Sequence, residues 1–346
     1  MRPATAAELD VWDDLVAANP DGGHYLQTRA WAEAKSRWGW QPQHRIHQES
    51  SGRRLAVLFL TRRVAALGTL WYSPKGPGVV DAASLLETVP WTHPPGDAFV
   101  VKVEPEVLAG ADLSGWRAAG LVKAPGDIQS NRATIVVDLR PSEDAVLASF
   151  KPKTRYNIRL AARHGVTVVD RAVDAEHARV MYRLLEQTNA RNDIAVRRAE
   201  YFEDCWSALS SRGQGRFFFA VHQGEVLAGA FIAHLGRRGW YKDGGSTRHS
   251  SQLMAPYLLQ WEVMRWLRAR GVEDYDLVAV PRPAELSPGH PFAGLHRFKS
   301  GFNATVTEYV GVWDWPVRPR ALHLWNRGGE RLARQWSARV DHDFFY

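Results

Sequence analysis

The distribution of apolar and polar residues along the chain predicts alternating helices and strands, and therefore an α/β protein. The segment 29–38 (RAWAEAKSRW) is typical of a helix, with Thr28 placed to cap its start and Gly39 to end it. Strands are predicted where β-branched and aromatic residues run between Gly, Pro and Asp. In the first part of the chain these runs are 55–61, 69–72, 98–103 and 133–138.

A second series of elements begins at Pro141–Ser142. Ser142 is placed to cap a short helix that ends at Ser149, and Pro152 suits the first turn of a helix that ends near Gly165. A longer helix is predicted over 252–270, where Gly271 stops it. Strands are predicted at 166–170, 216–222, 226–235, 239–243, 275–280 and 304–313, with a hairpin turn around Gly224.

The tail 318–346 is predicted to be helical in two pieces, with a break at Gly328–Gly329. Within the second piece Leu332, Trp336 and Val340 recur at helical spacing and form one apolar stripe. We expect this stripe to pack against another part of the protein.

Length and composition exclude several classes of protein. A chain of 346 residues suggests about two domains of ~150 residues each. Its hydrophobic fraction of 45% excludes a largely disordered chain. The single Cys205 excludes an intramolecular disulfide and a cysteine-rich zinc site. Apolar runs such as 55–60 are too short to span a membrane, and the N-terminal segment is acidic by Glu8, so we expect no signal peptide and a soluble cytoplasmic protein.

Positive charge is concentrated in two segments of the chain. The 44 Lys and Arg residues exceed the 37 Asp and Glu residues, which gives a net charge of +7. Residues 151–163 hold five basic residues and no acid, and residues 318–339 hold six arginines and one glutamate. Either segment could be a solvated helix face, but two of them together favour a polyanionic partner. Charge alone does not distinguish tRNA from another polyphosphate.

The motifs of several enzyme classes are missing from the sequence. There is no Walker-type phosphate loop, no H-E-x-x-H and no G-x-S-x-G. His290 and His296 have no third ligand at a familiar metal spacing, so we expect no metal site. Ser251 and Leu253 stand where acyl-CoA N-acetyltransferases carry glycines that let backbone N–H groups reach the pyrophosphate. The strand–turn–helix order resembles the acetyltransferase fold, but the CoA clamp is missing.

Four blocks of sequence stand out when they are taken together. The blocks are 25–40 (YLQTRAWAEAKSRWGW), 153–166 (KTRYNIRLAARHGV), 253–262 (LMAPYLLQWE) and 291–302 (PFAGLHRFKSGF). They resemble the Fem transferases, a family of peptidoglycan-bridge aminoacyltransferases. The blocks stand in the family's order and span most of the chain, so that together they are much more specific than any one of them.

The resemblance implies an α/β fold of two acetyltransferase-like (GNAT-type) domains, with mixed twisted sheets flanked by helices. Residues 1–149, completed by the tail 318–346, would form the first domain, and residues 150–317 the second. No heptad insertion lies between 175 and 215, so the chain resembles the compact members that lack a coiled-coil arm. The chain is expected to be a monomer, and a peripheral contact with the inner face of the membrane is left open.

The activity that the resemblance implies is transfer of an amino acid from aminoacyl-tRNA to an amine of the peptidoglycan stem peptide. The acceptor would be carried on lipid II or on UDP-MurNAc-pentapeptide, and no cofactor is expected. The reaction is aminolysis of an activated ester. It needs positioning and stabilisation of an oxyanion rather than an enzyme nucleophile.

Site residues follow from the matched positions. Lys299 is expected to be the catalytic cation near the developing oxyanion or the terminal adenosine of the tRNA, and Glu104 a base or a group that orients the amine. Arg197 and Tyr201 would lie on one helical face if their segment is helical. The implied substrate-binding residues are Lys35, Phe99, Arg197, Tyr201 and Tyr241. The residues expected to meet tRNA are Lys153, Arg155, Arg159, Arg327 and Arg331.

Three other functions remain open at this point. An acyl-CoA N-acyltransferase would share the fold, although residues 251 and 253 argue against CoA binding. A tRNA-dependent transferase acting on a small peptide metabolite would share the donor half of the site. A non-enzymatic RNA-binding protein would leave the acceptor-like positions unexplained, and no RNA-recognition module is visible.

Overall fold

The chain folds into two compact units. The structure, a computed structural model, describes residues 1–49, 52–88, 96–130, 132–191, 195–287, 289–341 and 344–346. Unit 1 consists of Met1–Arg132 together with Glu308–Tyr346, and unit 2 of Ala133–Thr307.

Strands and helices alternate along both units, as the sequence pattern predicts. The strands are β1 (Arg2–Pro3), β2 (Gln41–Gln48), β3 (Arg54–Val64), β4 (Gly68–Ser73), β5 (Ala98–Val103), β6 (Val122–Lys123), β7 (Ala133–Thr134), β8 (Val136–Asp138), β9 (Thr167–Arg171), β10 (Gly215–His222), β11 (Glu225–Leu235), β12 (Arg238–Ser246), β13 (Asp274–Asp276), β14 (Thr307–Glu308) and β15 (Trp313–Pro316). The helices are α1 (Ala6–Asp10), α2 (Trp12–Ala17), α3 (Arg29–Ser36), α4 (Ala82–Thr88), α5 (Ser114–Ala118), α6 (Glu143–Ser149), α7 (Pro152–Arg163), α8 (Ala175–Ala190), α9 (Ala199–Ser211), α10 (Ala255–Arg268), α11 (Ala293–Lys299), α12 (Pro319–Leu324) and α13 (Glu330–Trp336).

Unit 1 is built on a seven-stranded mixed sheet in the order β1-β2-β3-β4-β5-β15-β6. Strands β4 and β5 run parallel, and β15 returns from the end of the chain to pair antiparallel with β5. Strand β5 is buried along its whole length, because it is paired on both edges and covered on both faces. The tail therefore supplies an interior strand of this sheet.

Unit 2 is built on a six-stranded mixed sheet in the order β8-β13-β12-β11-β10-β9. The hairpin between β10 and β11 turns at Gln223 and Gly224, both with positive φ, as a tight two-residue turn requires. Helices α7 and α10 contact each other, and α10 packs on β10 and β11. Phe150 packs against Trp261 and Phe302, with ring centres 5.7 and 5.2 Å apart. These contacts bury one apolar core beneath α7 and α10.

The boundaries of the units differ from those that the sequence analysis placed at 149/150 and 317/318. Strand β8 belongs to the sheet of unit 2, where Val136 pairs with Asp276. Strand β15 belongs to the sheet of unit 1, where Trp313 pairs with Val103. Strand pairing therefore moves both boundaries towards the N-terminus of the chain.

Three predicted elements are shorter in the structure. The helix expected over 252–270 begins at Ala255, after a 3₁₀ turn over Ser251–Leu253. The strand expected over 275–280 ends at Asp276, because the next backbone carries positive φ at Val278 and Ala279. The strand expected over 304–313 is reduced to β14, and β15 begins only at Trp313.

The expectation that the apolar stripe of the tail packs inward is wrong. The tail is helical in two pieces with a kink at Gly328, as predicted. Leu332, Trp336 and Val340, however, are exposed. The tail is held to unit 1 instead by Leu322, Trp325 and the terminal aromatic residues Phe345 and Tyr346, all of which are buried.

Candidate active site

Two parallel strands of unit 2 separate at the centre of the candidate site. Strands β12 and β13 pair only over three positions, the last of which joins Trp240 to Asp276. Beyond it, β13 ends, while β12 continues with a bulge opposite Phe231 and Ile232. Phe231 of β11 pairs with Asp243 and Ile232 pairs with Tyr241, so that Lys242 is the extra residue on β12.

Lys299 lies at this separation, at the last position of α11. Its side chain is buried, and its Nζ donates to the carbonyl oxygens of Val278 and Ala279 at 2.5 and 3.0 Å. Burial lowers the pKa of the Lys299 ammonium to about 7, and the charge of Asp276 opposes that shift. An ammonium has three N–H donors. Within the part of the chain that the structure describes, the two carbonyls take two of them, and one is left for a substrate.

The two carbonyls are aimed at Lys299 by strained backbone. Val278 and Ala279 have φ of 55° and 27°, a conformation that is unfavourable for a residue with a Cβ and most of all for valine. On either side, Leu277 and Val280 donate to the carbonyls of Ile135 and Ala133 at 2.9 and 3.0 Å. Paired backbone before and after the strained pair therefore holds it in place.

Asp276 supports the same turn from inside unit 2. Its Oδ1 accepts from the N–H of Val278 at 2.6 Å and from the hydroxyl of Thr134. The carboxyl group is buried and gives the site its nearest negative charge to Lys299.

Tyr241 is the aromatic residue facing Lys299, with the ring centre 5.7 Å from Nζ. Burial raises the pKa of the Tyr241 phenol, and the charge of Asp243 adds to this effect, so the hydroxyl stays protonated. A Cβ placed on Gly244 would lie 1.8 Å from the Tyr241 hydroxyl oxygen. Glycine at 244 is therefore what allows the ring to lie along its own strand.

Three of the four family-like blocks meet around Lys299. A Cβ on Gly301 would lie 2.3 Å from Oγ1 of Thr154, and the N–H of Lys151 donates to the Gly301 carbonyl at 2.9 Å. Tyr257 of α10 packs on Phe298, with ring centres 5.0 Å apart. The blocks at 153–166, 253–262 and 291–302 are thus one packing unit that fixes the end of α11.

The turn before α10 does not offer the free amides of a CoA clamp. The N–H groups of Ser251, Leu253 and Met254 donate to the carbonyls of Arg248, Ser250 and Ser251. Pro256 stands in the first turn of α10 and has no N–H. These three N–H groups therefore donate within the turn rather than towards a pyrophosphate. This agrees with the sequence analysis, which found no CoA-binding glycines at residues 251 and 253.

Arg197 and Tyr201 are brought together, but not on one helix. Helix α9 begins at Ala199, so Arg197 precedes it, and the condition of a helical segment is not met. The Arg197 guanidinium nevertheless lies 4.2 Å from the centre of the buried Tyr201 ring. Stacking of this kind leaves the in-plane N–H groups of arginine directed away from the ring.

A partly buried ion pair lies on β12 next to Tyr241. Lys242 Nζ donates to Asp243 Oδ2 at 2.7 Å, and Trp206 of α9 donates to the same oxygen at 2.7 Å. Lys242 also lies 5.9 Å from the ring centre of Phe202. These contacts join α9 to the bulged strand.

Glu104 of unit 1 lies in a separate buried cluster. Tyr72 donates to its Oε2 at 2.5 Å, and Gln129 donates from Nε2 to the Tyr72 hydroxyl at 3.1 Å. Burial raises the pKa of the Glu104 carboxyl, while the charge of the buried Lys75 opposes the rise. A carboxyl group with a raised pKa is the kind that accepts a proton near neutral pH.

The other two predicted residues of unit 1 have contrasting surroundings. Lys35 on α3 is buried between two indole rings, 5.7 Å from the centre of Trp31 and 5.9 Å from that of Trp40. Phe99 is completely buried and packs edge-to-face on Trp325, with ring centres 5.8 Å apart. The prediction for Phe99 is corrected accordingly, because it is a core residue between β5 and the tail.

Helix α7 presents a basic face with an aromatic residue in it. Tyr156 is exposed, and the charged groups of Lys153 and Arg163 lie 5.1 and 6.0 Å from its ring centre. Arg159 is exposed as well. Arg155 instead donates to the carbonyls of Ala148 and Phe150 and caps the end of α6. Its guanidinium thus has a structural role, and its contact with tRNA stays a prediction.

Arg327 and Arg331, the remaining predicted tRNA contacts, are exposed on the tail. The described residues contain no group of three or more His, Cys, Asp or Glu side chains able to hold a metal ion. Among those same residues, no helix is both long enough and apolar enough to cross a membrane.

Several residues of the site were missed by the sequence analysis. Asp276, Val278 and Ala279 lie about 20 positions before Lys299 and carry no motif. Tyr72 and Lys75 stand at and just after the end of a predicted strand, where polar residues are common. Their interactions with Glu104 could not be predicted from the sequence. Only Gln260, which accepts from Tyr275 at 2.7 Å, lies inside a block that the analysis had singled out.

Comparison with known proteins agrees with this architecture. Residues 148–299 match the family model described as an acetyltransferase (GNAT) domain. The chain also has the fold of a crystal structure of FemX, with a TM-score of 0.81 and 20% identity, over 94% of this chain and all of the other. A structure of L-PGS from Bacillus licheniformis is more distant, with a TM-score of 0.51 and 12% identity over 95% of this chain and 96% of the other. The fold and the site define an acyltransferase of the two-unit GNAT class.

Sequence relatives narrow the class further. A lipid II:glycine glycyltransferase from Staphylococcus saprophyticus is 24% identical over 88% of this chain and 90% of the relative. One from Staphylococcus aureus strain MRSA252 is 22% identical over 93% and 94% of the two chains. The chain is thus similar in sequence to these transferases and in fold to FemX, which supports the resemblance of the four blocks to the Fem-type family. Among the described residues its longest α-helix has 16 residues, as in a compact member without a coiled-coil arm.

Proposed function

We propose that the protein transfers an amino acid from aminoacyl-tRNA to an amine of the peptidoglycan stem peptide, carried on lipid II or UDP-MurNAc-pentapeptide. The relatives' names make glycine the first amino acid to test and lipid II the first acceptor. The observation that carries the proposal is the buried Lys299 beside Tyr241, at the point where β12 and β13 separate. The N–H groups of Ser251, Leu253 and Met254 donate within the turn before α10, which favours a donor other than acyl-CoA.

The chemistry proposed for this site is direct aminolysis. The unprotonated acceptor amine attacks the ester carbonyl, a C–N bond forms, and the ester C–O bond to the terminal ribose breaks. One proton passes, in net terms, from the attacking nitrogen to the departing ribose oxygen. The third N–H of Lys299 stabilises the oxyanion of the tetrahedral intermediate, where a donor in a buried site is most effective.

The backbone of Val278 and Ala279 sets the position of that donor. Two N–H groups of Lys299 are fixed by carbonyls, so the third has one direction, and no reorganisation is needed when the oxyanion forms. A pKa of about 7 also allows the lysine to exchange protons with the reacting atoms near neutral pH.

The acceptor side is proposed to use the remaining matched residues. Lys35 and Arg197, the latter lying 4.2 Å from the ring centre of Tyr201, are proposed to bring positive charge to the phosphates of the acceptor. Glu104, whose pKa is raised by burial, is proposed as the group that orients or deprotonates the amine. On the donor side, Lys153 and Arg159 on the exposed face of α7 would meet tRNA phosphates.

The test is a transfer assay with defined donors and acceptors. The protein is incubated with glycyl-tRNA and, in separate reactions, with lipid II, UDP-MurNAc-pentapeptide or the free stem peptide, and the acceptor mass is measured. An increase by one aminoacyl residue on a lipid- or nucleotide-linked acceptor supports the proposal. Further charged tRNAs are tried in turn, and failure of all of them on every acceptor would contradict it.

Two controls separate this function from its alternatives. A reaction with acetyl-CoA in place of charged tRNA should give no product, because the N–H groups of Ser251, Leu253 and Met254 in the turn before α10 donate to carbonyls of the same turn. A Lys299→Met variant should lose about 10²–10³-fold in kcat, the loss seen when an oxyanion donor is removed. Modification of the free stem peptide alone would point to a small-peptide transferase.

A further inference from the structure

The C-terminal helix displays an apolar stripe to solvent. From Glu330 to Asp341 the chain is helical, first as α13 and then as a wider turn over Ser337–Asp341. Leu332, Trp336 and Val340, spaced four residues apart, are 68%, 67% and 53% exposed. Large apolar side chains exposed in a row on one helix mark a contact surface rather than ordinary surface variation.

The opposite face of this helix is fixed, so its orientation is defined. Ser337 is buried. Arg334 donates from Nε and Nη2 to Glu330 Oε1 at 3.0 and 2.7 Å, and its guanidinium lies 5.0 Å from the ring centre of Tyr346. Tyr346 stacks in turn on Trp40 with ring centres 5.9 Å apart. The helix is therefore held with its apolar stripe outward.

Exposed arginines accompany the stripe. Arg339, which precedes Val340, is exposed, and the exposed Arg331 and Arg327 lie towards the kink. Residues 318–339 contain six arginines and one glutamate. The surface thus combines Trp, Leu and Val with positive charge over about three helical turns.

We propose that this helix docks the protein on an anionic lipid surface. A helix that lies in the membrane interface carries Trp and aliphatic residues on one face, flanked by Lys or Arg. Anionic headgroups attract the arginines, and the interfacial zone accepts the indole of Trp336. The inference stands on the helix itself and does not depend on the reaction proposed above.

Other occupants fit the surface less well. In a second copy of the chain, two such helices would bring their arginines together and repel. An RNA would pair with the arginines but would leave Leu332 and Val340 in water. A bilayer with anionic headgroups satisfies both the apolar and the charged groups.

The test is co-sedimentation of the full-length protein with vesicles. We expect binding to vesicles of phosphatidylcholine and phosphatidylglycerol, and at least tenfold weaker binding to vesicles of phosphatidylcholine alone. The triple variant Leu332→Ser/Trp336→Ser/Val340→Ser should lose at least tenfold in partitioning. Its matched control, Val80→Ser/Leu108→Ser/Val122→Ser, changes three exposed apolar residues elsewhere and should bind like the wild type.

A second pair of variants isolates the charge. Arg327→Gln/Arg331→Gln/Arg339→Gln should weaken binding to the anionic vesicles. Arg140→Gln/Arg216→Gln/Arg237→Gln, which removes the same charge elsewhere, should weaken it much less. Circular dichroism and thermal unfolding establish that every variant is folded before it is compared.

Three outcomes would overturn the inference. One is equal vesicle binding by the tail variants and their controls. Another is a dimer, seen by sedimentation equilibrium in the wild type and lost in the triple serine variant, without vesicle binding. The third is tRNA binding that the triple serine variant loses while no form of the protein binds vesicles.

Discussion

At the scale of single residues, Lys299 links protonation to stability. Its pKa is lowered from 10.5 to about 7 in the folded protein, so between these values the folded state holds a neutral amine and the unfolded state a charged one. Unfolding then takes up a proton, and the free energy of unfolding rises with pH across this window.

The expected result is a pH-dependent difference between the wild type and Lys299→Met. As pH increases from about 7 to 10, the wild type should gain stability relative to the variant, by up to about 1.4 kcal/mol per pH unit. Urea unfolding at several pH values measures the difference. Lys153→Met, at an exposed site, is the control and should follow the wild type throughout; a constant gap for Lys299→Met would contradict the buried placement of the lysine.

Gly244 gives a second test at this scale. In Gly244→Ala the new Cβ would lie 1.8 Å from the Tyr241 hydroxyl oxygen, so the ring must leave its place beside Lys299. We expect transfer activity to fall by tenfold or more while the protein remains folded. Gly126→Ala, where a Cβ meets nothing within 4 Å, is the control. Unchanged activity in Gly244→Ala would show that the position of Tyr241 is immaterial.

At the scale of elements, β5 and β15 are joined by a buried ion pair. Lys102 Nζ lies 2.8 and 3.0 Å from the two carboxylate oxygens of Asp314, and both side chains are nearly inaccessible. Removing one member of such a pair leaves an uncompensated charge, whereas removing both does not.

Lys102→Met should therefore destabilise the protein by about 3–5 kcal/mol, and Lys102→Met/Asp314→Leu by clearly less. Equilibrium unfolding in urea measures both. Lys123→Met, another lysine of the same sheet but with a partly exposed side chain, is the comparison. A double variant as unstable as the single one would mean that the pair contributes by packing rather than by charge.

The elements also show how far the sequence could predict the structure. Caps and turns are local, so Thr28, Ser142 and Gly224 are found where the sequence placed them. The start of α10 was placed three residues early, because positive φ at Met254 is not encoded by a residue that favours it. The end of β13 depends on Asp276 accepting from the N–H of Val278, a contact that no periodicity reveals.

The site was predicted in part for the same reason. Lys299 was found from a matched block and Tyr241 from its position at the end of a strand, and the two do come together, but the strained carbonyls that hold the lysine were not found. Arg197 and Tyr201 were paired for a helical reason that is wrong, and yet they are in contact. Phe99 was predicted as a substrate contact from its resemblance to a family position, whereas the structure buries it completely in the core.

At the scale of the whole molecule, the fold is established, the Fem-type family is supported by sequence similarity, and the substrates are proposed. The sequence relatives cover most of this chain and are named for glycyl transfer to lipid II. The transfer assay with charged tRNAs identifies the donor and the acceptor directly.

One feature of the topology bears on how the protein is made. Unit 2 is inserted into unit 1, and β15 lies between β5 and β6, which precede it by about 200 residues. During synthesis Lys102 can therefore form its ion pair with Asp314, 212 residues later, only after the whole of unit 2 has been made. The first unit to emerge is in this way the last to be completed, in reverse of the usual N-terminal-first order.

Ribosome-stalled chains provide the test of this order. A nascent chain whose last exposed residue is 307 should resist limited proteolysis within 133–307 and be cut readily within 1–132. Extension past residue 316 should protect both units. If residues 1–132 are already protected in the shorter chain, the first sheet closes without its interior strand. Until β15 is synthesised, the edge of β5 that it will cover is unpaired and open to chaperones. Completion of the first sheet therefore depends on residues 307–346.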